Sequence, residues 1–397
     1  MITIRTIDKL AVSPGSRVFY RVDYNVPLEG TKITDATRIE ETLPTLNLLR
    51  DRGASIIIAS HLGRPKGERN PKYSLKPVRD CLAKLMNTDV KWSDDCVGDD
   101  AEQKSRSLKA GEMLLLENLR FHAGEEKNDK AFAEELRKLG DFYVNDAFGA
   151  SHRAHASIDA LPRLFPKRNT AGGLLLAKEL QFLQKVTNVA DRPFAALLGG
   201  AKIAGKIEPL EALVKLADVV LIGGGMANTF LAAQNVNMGQ SLVDHDSMEI
   251  AHRILGGGHR AQVILPVDLV VSDSLDAPSK VETVDVAKGL VEPQKAFDIG
   301  PATIEKYAAE LKRSKTIFWN GPMGVFEKPQ FAKGTMAMAR AIAETRATTI
   351  VGGGESVEAV KASGFAGKIS HISTGGGASL EFISGAELPG VSVLASQ

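Results

Sequence analysis

Excess charge of one sign is missing from this chain: 49 Lys and Arg residues stand against 48 Asp and Glu, a formal net charge of +1. That balance argues against an extended basic surface for DNA or RNA and leaves room for a local cationic pocket, so small anions remain candidate ligands. Cysteine is nearly absent. Cys81 and Cys96 are the only two in 397 residues, which argues against a disulfide scaffold and leaves a cysteine-based zinc site short of ligands. No apolar run approaches the roughly 20 residues that a membrane helix needs. The opening stretch "MITIRTIDKL" lacks the apolar core and small-residue cleavage pattern of a secretion signal. These absences predict a soluble, cytoplasmic enzyme with reduced thiols that engages neither nucleic acid nor membrane.

At 397 residues the chain exceeds the usual length of one domain, so two are expected. Short β-rich runs alternate with helical periodicity throughout. "SRVFYRVDYNV", "GASIIIAS", "GEMLLLENL" and "DFYVNDAF" are separated by stretches such as "ATRIEETLPTLNLLRD" and "KAFAEELRKLG". In the first of these, Ile39, Leu43, Leu46 and Leu49 return at helical spacing. Runs such as "SIIIAS" are apolar on both strand faces, as in a parallel sheet covered by helices on both sides. The pattern restarts after about residue 185 with "PFAALLGG", "ADVVLIGGG", "AQVILPVDLVV", "KTIFWNGP" and "ATTIVGGGES". Between the halves, Leu175, Leu176, Leu180 and Leu183 form an apolar helical stripe after Gly172 and Gly173. It reads as an interdomain helix, with a covering helix inside either domain as the alternative.

Many of the strand-like runs end in glycines or polar residues, which is where open α/β sheets place ligands. In the first half, "RVDYNVP", "DATRIEE", "SHLGRP", "LENLRFHAGEE" and "GASHRAHAS" put Arg38, His61, Arg64, Arg120, His152 and Arg153 at or near strand ends and helix starts. Guanidinium forks match phosphate and carboxylate oxygens, so the set suits a small polyanion. Asp23 and Asn25, two apart on a strand, share a face and are placed to receive a substrate hydroxyl and orient Arg38. In the second half, "LLGGAKIAGKIEP" contains G-x-x-x-x-G-K from Gly200 to Lys206, yet Ile207 stands where a P-loop carries its magnesium-binding Ser or Thr. None of the glycine triplets spells the G-x-G-x-x-G fingerprint of a dehydrogenase.

Taken in order, "RVDYNVP", "SHLGRP", "LENLRFH", "AFGASHRAHAS", "GGAKIAGK", "GGGMANTF", "WNGPMGVFE", "VGGGES" and "HISTGGGASLE" resemble the phosphoglycerate kinase family over essentially the whole chain. The resemblance implies two Rossmann-like α/β domains, each a parallel sheet with flanking helices, joined by a hinge helix. Residues 1–170, completed by 386–397, form a 3-phosphoglycerate-binding domain; 171–185 form the hinge helix; 186–385 form a nucleotide-binding domain. It implies a monomer that transfers phosphate between 1,3-bisphosphoglycerate and ADP, with magnesium bound as MgATP or MgADP.

By the same resemblance, Asp23, Asn25, Arg38, His61, Arg64, Arg120 and Arg153 bind the glycerate, and Arg38 and Lys202 are catalytic. Lys202 and Lys206 contact phosphate; if their segment is helical, their spacing puts both amines on one face. Gly200, Ala201, Gly223, Gly224, Pro322 and Val325 surround adenine, Glu327 receives the ribose hydroxyls, and Asn320 reaches toward phosphate. Ser356, with Gly352, Gly353, Gly354, Gly375 and Gly376, completes the nucleotide site. Two positions depart from the family pattern. Glu355 replaces the usual Asp as the metal carboxylate, and Ala150-Ser151 replaces the usual Thr-Ala.

Overall fold

A computed structural model describes residues 2–189 and 191–395. The chain divides into two compact units, Met1–Gln181 with Glu387–Gln397, and Phe182–Ala386. The 15-residue helix Leu174–Asn188 contains the boundary between them.

The first unit is built on a parallel sheet in the order Lys91–Ser93, Met113–Leu116, Ser55–Ala59, Arg17–Arg21, Phe142–Asn145 and Thr170–Gly172. Ser55–Ala59 and Met113–Leu116 are buried at every position, the pattern produced by helices covering both sheet faces. Arg17 pairs with Ser55 and Arg21 with Ala59, so the two central strands end level. Their connections therefore emerge side by side. The stretch "ATRIEETLPTLNLLRD" is two helices, Thr37–Glu40 and Leu43–Asp51, instead of one. Pro44 explains the break: without an N–H and with its ring against the preceding turn, proline fits at a helix start. The chain end returns to this unit, where Gly390 N–H donates to the Ser151 carbonyl at 3.0 Å and Ile4 bridges Ala395.

The second unit repeats the plan in the order Gln262–Ile264, Val219–Ile222, Phe194–Leu198, Thr316–Asn320, Thr348–Gly352 and His371–Ile372, again parallel. Phe194–Leu198 and Thr316–Asn320 are wholly buried. The run "AQVILPVDLVV" does not stay in one strand. It divides at Pro266 into the edge strand Gln262–Ile264 and a second strand, Asp268–Ser272, because proline cannot donate to a sheet ladder. Asp268–Ser272 is the middle of a three-stranded antiparallel sheet between Glu282–Asp285 and Lys295–Ile299. The two-domain parallel α/β expectation is met, with this small sheet as an addition. Among the described residues, no helix is long and apolar enough to cross a membrane.

Candidate active site

In the first unit six of the seven expected glycerate-binding residues leave the carboxyl ends of four adjacent strands, and Arg38 lies in the short helix Thr37–Glu40. Asp23 and Asn25 follow Arg17–Arg21, His61 and Arg64 follow Ser55–Ala59, Arg120 lies in the turn Leu119–Phe121, and Arg153 follows Phe142–Asn145. Three of them meet directly. Arg38 Nη1 donates to Asp23 Oδ2 at 2.6 Å, and His61 Nε2 lies 3.8 Å from Asp23 Oδ1. Burial by itself raises the Asp23 carboxyl, but the opposing charges, Arg38 foremost, hold it below its ordinary value. Burial drives His61 well below its ordinary value, so its ring is neutral at physiological pH. Asn25 Oδ1 accepts the Gly63 N–H at 2.9 Å, and Arg120 Nη1 donates to the Gly63 carbonyl at 2.8 Å. Arg120 Nε has no hydrogen-bond partner among the described residues. Arg64 and Arg153 are exposed, and Arg153 Nε donates to His152 Nε2 at 3.1 Å.

Behind this layer lies a buried set that the sequence reading missed. Arg21 is fully buried; its Nε donates to Ser157 Oγ at 2.7 Å and its Nη2 lies 3.3 Å from His61 Nδ1. Glu125, also fully buried, lies 3.8 Å from Arg21 Nη2 and accepts Ser157 Oγ–H at 2.6 Å. A buried guanidinium is tolerated because this carboxylate and these oxygens replace its water. His155 is buried beside them and driven down to about 3, by burial first and by Arg120 and Arg21 next. Spacing gave no signal for Arg21 or Glu125: the strand ends at Arg21, so Asp23 and Asn25 lie beyond it and not on its face, and Glu125 sits in the short helix Ala123–Glu126. Ser151 Oγ, in the altered Ala150-Ser151 pair, donates to the Ala147 carbonyl at 2.9 Å. Its hydroxyl serves the backbone.

The second unit carries a cavity of about 490 Å³ at its strand ends, of a size suited to a small organic ligand. Gly200, Ala201, Gly224, Pro322, Val325, Glu327 and Glu355 line it, as do Leu269 and Lys295–Ile299 of the antiparallel sheet. That apolar wall, which includes Phe297 and Ile299, was not anticipated; only the Pro266 break hinted at a separate element. Gly224 sits at φ +63, and a methyl group on it would stand 2.8 Å from the Gly200 carbonyl oxygen and 2.9 Å from that of Pro322. The cavity floor is therefore backbone against backbone. Gly223 caps the helix Gly224–Ala233.

The lysine loop is not helical. Ile207–Leu216 begins only after Lys206, because Gly200 and Gly205 take positive φ of +104 and +80, outside the helical region. The shared helical face expected for Lys202 and Lys206 does not form. Lys202 is exposed, whereas Lys206 Nζ donates to the Gly199 carbonyl at 3.0 Å. Burial lowers the Lys206 ammonium from its ordinary value, with Glu355 opposing. Asp244 steadies the loop by accepting Ala204 N–H at 3.1 Å.

Asn320 Nδ2 donates to the Gly352 carbonyl at 2.8 Å, and Ser356 Oγ accepts Gly321 N–H at 2.5 Å. The first ties the ends of adjacent strands together, and the second ties the residue after Asn320 to the helix Gly354–Ala362. Gly353 caps the helix Gly354–Ala362, with exposed Glu355 in its first turn, while Gly375 and Gly376 precede Gly377–Ile383. A methyl group at Gly200 would meet Lys206 Nζ at 3.2 Å and Glu355 Oε2 at 4.0 Å. One ammonium and one carboxylate therefore flank the same glycine at the cavity edge. An exposed carboxylate at the edge of this cavity fits magnesium, which takes one or two carboxylates, phosphate oxygens and waters.

Paired parallel-sheet units, one ending in cations and neutral imidazoles and the other in a lysine-flanked cavity, define the class as a two-domain α/β phosphotransferase. The phosphoglycerate kinase family model matches residues 7–386. The phosphoglycerate kinase of Leptospira biflexa is 50% identical over 382 residues, covering 96% of each chain, and that of Koribacter versatilis is 49% identical over 391 residues with the same coverage. The solved phosphoglycerate kinase of Coxiella burnetii superposes with a TM-score of 0.90 at 35% identity, covering 99% of both chains. That of Pyrococcus horikoshii gives 0.87 at 33%, covering 99% of this chain and 98% of its own. The chain belongs to the phosphoglycerate kinase family. It is an enzyme whose reaction is reversible phosphoryl transfer from 1,3-bisphosphoglycerate to ADP, giving 3-phosphoglycerate and ATP.

Proposed function

We propose that Arg38 and Lys202 stabilise the phosphoryl group in flight, one from each half of the site. The first unit holds the glycerate through Asp23, Asn25, His61, Arg64, Arg120 and Arg153, and the second holds the nucleotide. Residues 1–170 with 386–397 serve the glycerate, 186–385 serve the nucleotide, and 171–185 act as the hinge. The observation that carries this reading is the division of labour at the strand ends. Cations and neutral imidazoles gather in one unit, and a cavity of about 490 Å³ edged by Lys206 and Glu355 lies in the other.

In the synthetic direction a β-phosphate oxygen of ADP attacks the acyl phosphorus. A new P–O bond forms as the bond to the glycerate carboxylate breaks, and the electron pair leaves with that carboxylate. The nucleophile is already ionised and the leaving group is stable, so no general base is required. The protein's contribution is position and charge. Arg38 enters held by Asp23, Arg120 enters with its Nε 3.7 Å from Glu126 and not hydrogen-bonded, and Lys202 is exposed to reach a phosphate. His61 and His155, both neutral, offer hydrogen bonds without adding to the repulsion among the arginines. Glu355 is the carboxylate that would hold magnesium, which when bound neutralises phosphate charge on the nucleotide.

The enzyme acts as a cytoplasmic monomer on these small molecules. The two half-sites belong to different units, so transfer requires a doubly liganded state in which they meet. X-ray scattering should report a smaller radius of gyration with both substrates than with neither. The direct test is 3-phosphoglycerate-dependent conversion of MgATP to ADP, with the acyl phosphate consumed by a coupling dehydrogenase and NADH loss followed by absorbance. Turnover that needs 3-phosphoglycerate, nucleotide and magnesium together supports the assignment; turnover insensitive to Arg38→Ala and Lys202→Ala overturns it.

A further inference from the structure

Away from the cavity, the loop after the edge strand Lys91–Ser93 meets the end of the turn Leu119–Phe121. Asp95, Cys96 and His122 come together there, and one ligand atom from each lies within 4.8 Å of the others. We propose that these three side chains form a binding site for one zinc ion, separate from the magnesium that accompanies the nucleotide. Cysteine count alone pointed away from zinc; the structure supplies an imidazole and a carboxylate beside the single buried thiol.

The donor set selects the metal. Thiolate and imidazole suit zinc, whereas magnesium requires oxygen. Tetrahedral zinc with its ordinary bond lengths separates its ligands by about 3.3–3.6 Å, so the present spacing needs only small side-chain shifts. The site is also built. His122 Nε2 and Asp95 Oδ1 are 2.6 Å apart, Cys96 N–H donates to the same Oδ1 at 2.6 Å, and the His122 ring stacks on Phe132 at 5.1 Å. Arg69 Nη2 donates to Asp95 Oδ2 at 3.1 Å, an outer partner of the kind that fixes a ligating carboxylate, and on binding the metal replaces the His122 contact to Oδ1. Cys96 is fully buried, while the Asp95 and His122 side chains are 39% and 32% exposed. A solvent water can therefore take the fourth position. On binding, the Cys96 S–H bond is replaced by a Zn–S bond and one proton passes to solvent, with no change of oxidation state.

Equilibrium dialysis of the full chain against zinc chloride, followed by metal counting, tests the site. About one zinc per chain is expected for the wild type and for Cys81→Ser. Cys96→Ser and His122→Gln should each weaken binding by roughly 100-fold or more, since loss of an outer-shell partner alone weakens metal sites by 10- to 100-fold. Wild-type protein loaded with Co2+ supplies a readout independent of variant folding, a thiolate-to-cobalt charge-transfer band. A wild type that retains no zinc, a Co2+ spectrum without that band, or folded Cys96→Ser and His122→Gln proteins that bind zinc as the wild type does, would each overturn the proposal.

Discussion

Replacing Asp23 with alanine removes the anion that holds Arg38, and the geometry sets the size of the effect on turnover. The pair is 2.6 Å apart, with Asp23 11% and Arg38 32% exposed. A hydrogen bond between ionised partners contributes about 1.5–3 kcal/mol, and partial exposure of Arg38 places this one near 2 kcal/mol. If that energy orients Arg38 toward the migrating phosphoryl group, kcat falls by roughly 30-fold. The same deletion removes a contact to the glycerate but also a negative charge from an anion site, so KM for 3-phosphoglycerate should change little. A fall in kcat at a nearly unchanged KM marks an orienting role. Asp23→Asn retains a neutral acceptor of about half the strength, and its kcat should fall by only about 5-fold. Steady-state rates with 3-phosphoglycerate varied at saturating MgATP separate the two parameters. An alanine variant with kcat within about twofold of wild type and a raised KM would refute the reasoning; Asp23 would then act by touching the substrate hydroxyl and not through Arg38.

Arg38→Ala and Lys202→Ala should each lower kcat by roughly 100-fold or more, about 2.7 kcal/mol of transition-state stabilisation, in the same steady-state assay. Gly224→Ala should destabilise the second unit by about 2–3 kcal/mol and weaken nucleotide binding, because both φ +63 and the backbone oxygens at 2.8–2.9 Å oppose a methyl group; urea titration and ATP calorimetry read the two effects. Asp298, in the cavity wall, is raised to about 7 by burial, although Gly334 and Ile299 N–H groups donate to it. Its folded form binds the proton more tightly than the unfolded chain, so its contribution falls as pH rises from about 4 to 7, by at most about 4 kcal/mol. Asp298→Asn should flatten this decline, and urea midpoints for the two proteins that stay parallel from pH 5 to 8 would contradict it.

The parallel strands were legible because each is a short, doubly apolar run followed by glycine or polar residues. Ser55–Ala59 and Phe194–Leu198, buried at every position, are the clearest cases. What escaped was set by proline and by burial. Pro44 cut one apparent helix into two, and Pro266 redirected one apparent strand into an antiparallel sheet that walls the cavity. Glycine did the same for Lys202 and Lys206, whose helical spacing carries no weight once Gly200 and Gly205 leave helical space. Exposed cations could be collected from the sequence by motif. Buried Arg21 and Glu125 could not, since a charge in a strand or a short helix reads as an ordinary surface residue until its partners elsewhere in the fold are known.

Those two buried residues explain how a nearly neutral chain sustains a concentrated cationic site. Arg21, Arg38, Arg120 and Arg153 would repel one another if every neighbour were also positive. Glu125, Glu126 and Asp23 supply three negative charges around them, at 3.8 Å from Arg21, 3.7 Å from Arg120 and 2.6 Å from Arg38. Burial then keeps His61 and His155 uncharged, so these imidazoles contribute hydrogen bonds without repulsion. The site is held short of full neutralisation, with Arg64 and Arg153 exposed. On the proposed reading a bisphosphorylated acid completes that residual positive charge, part of which lies at the surface on Arg64 and Arg153, where exchange with water keeps release possible.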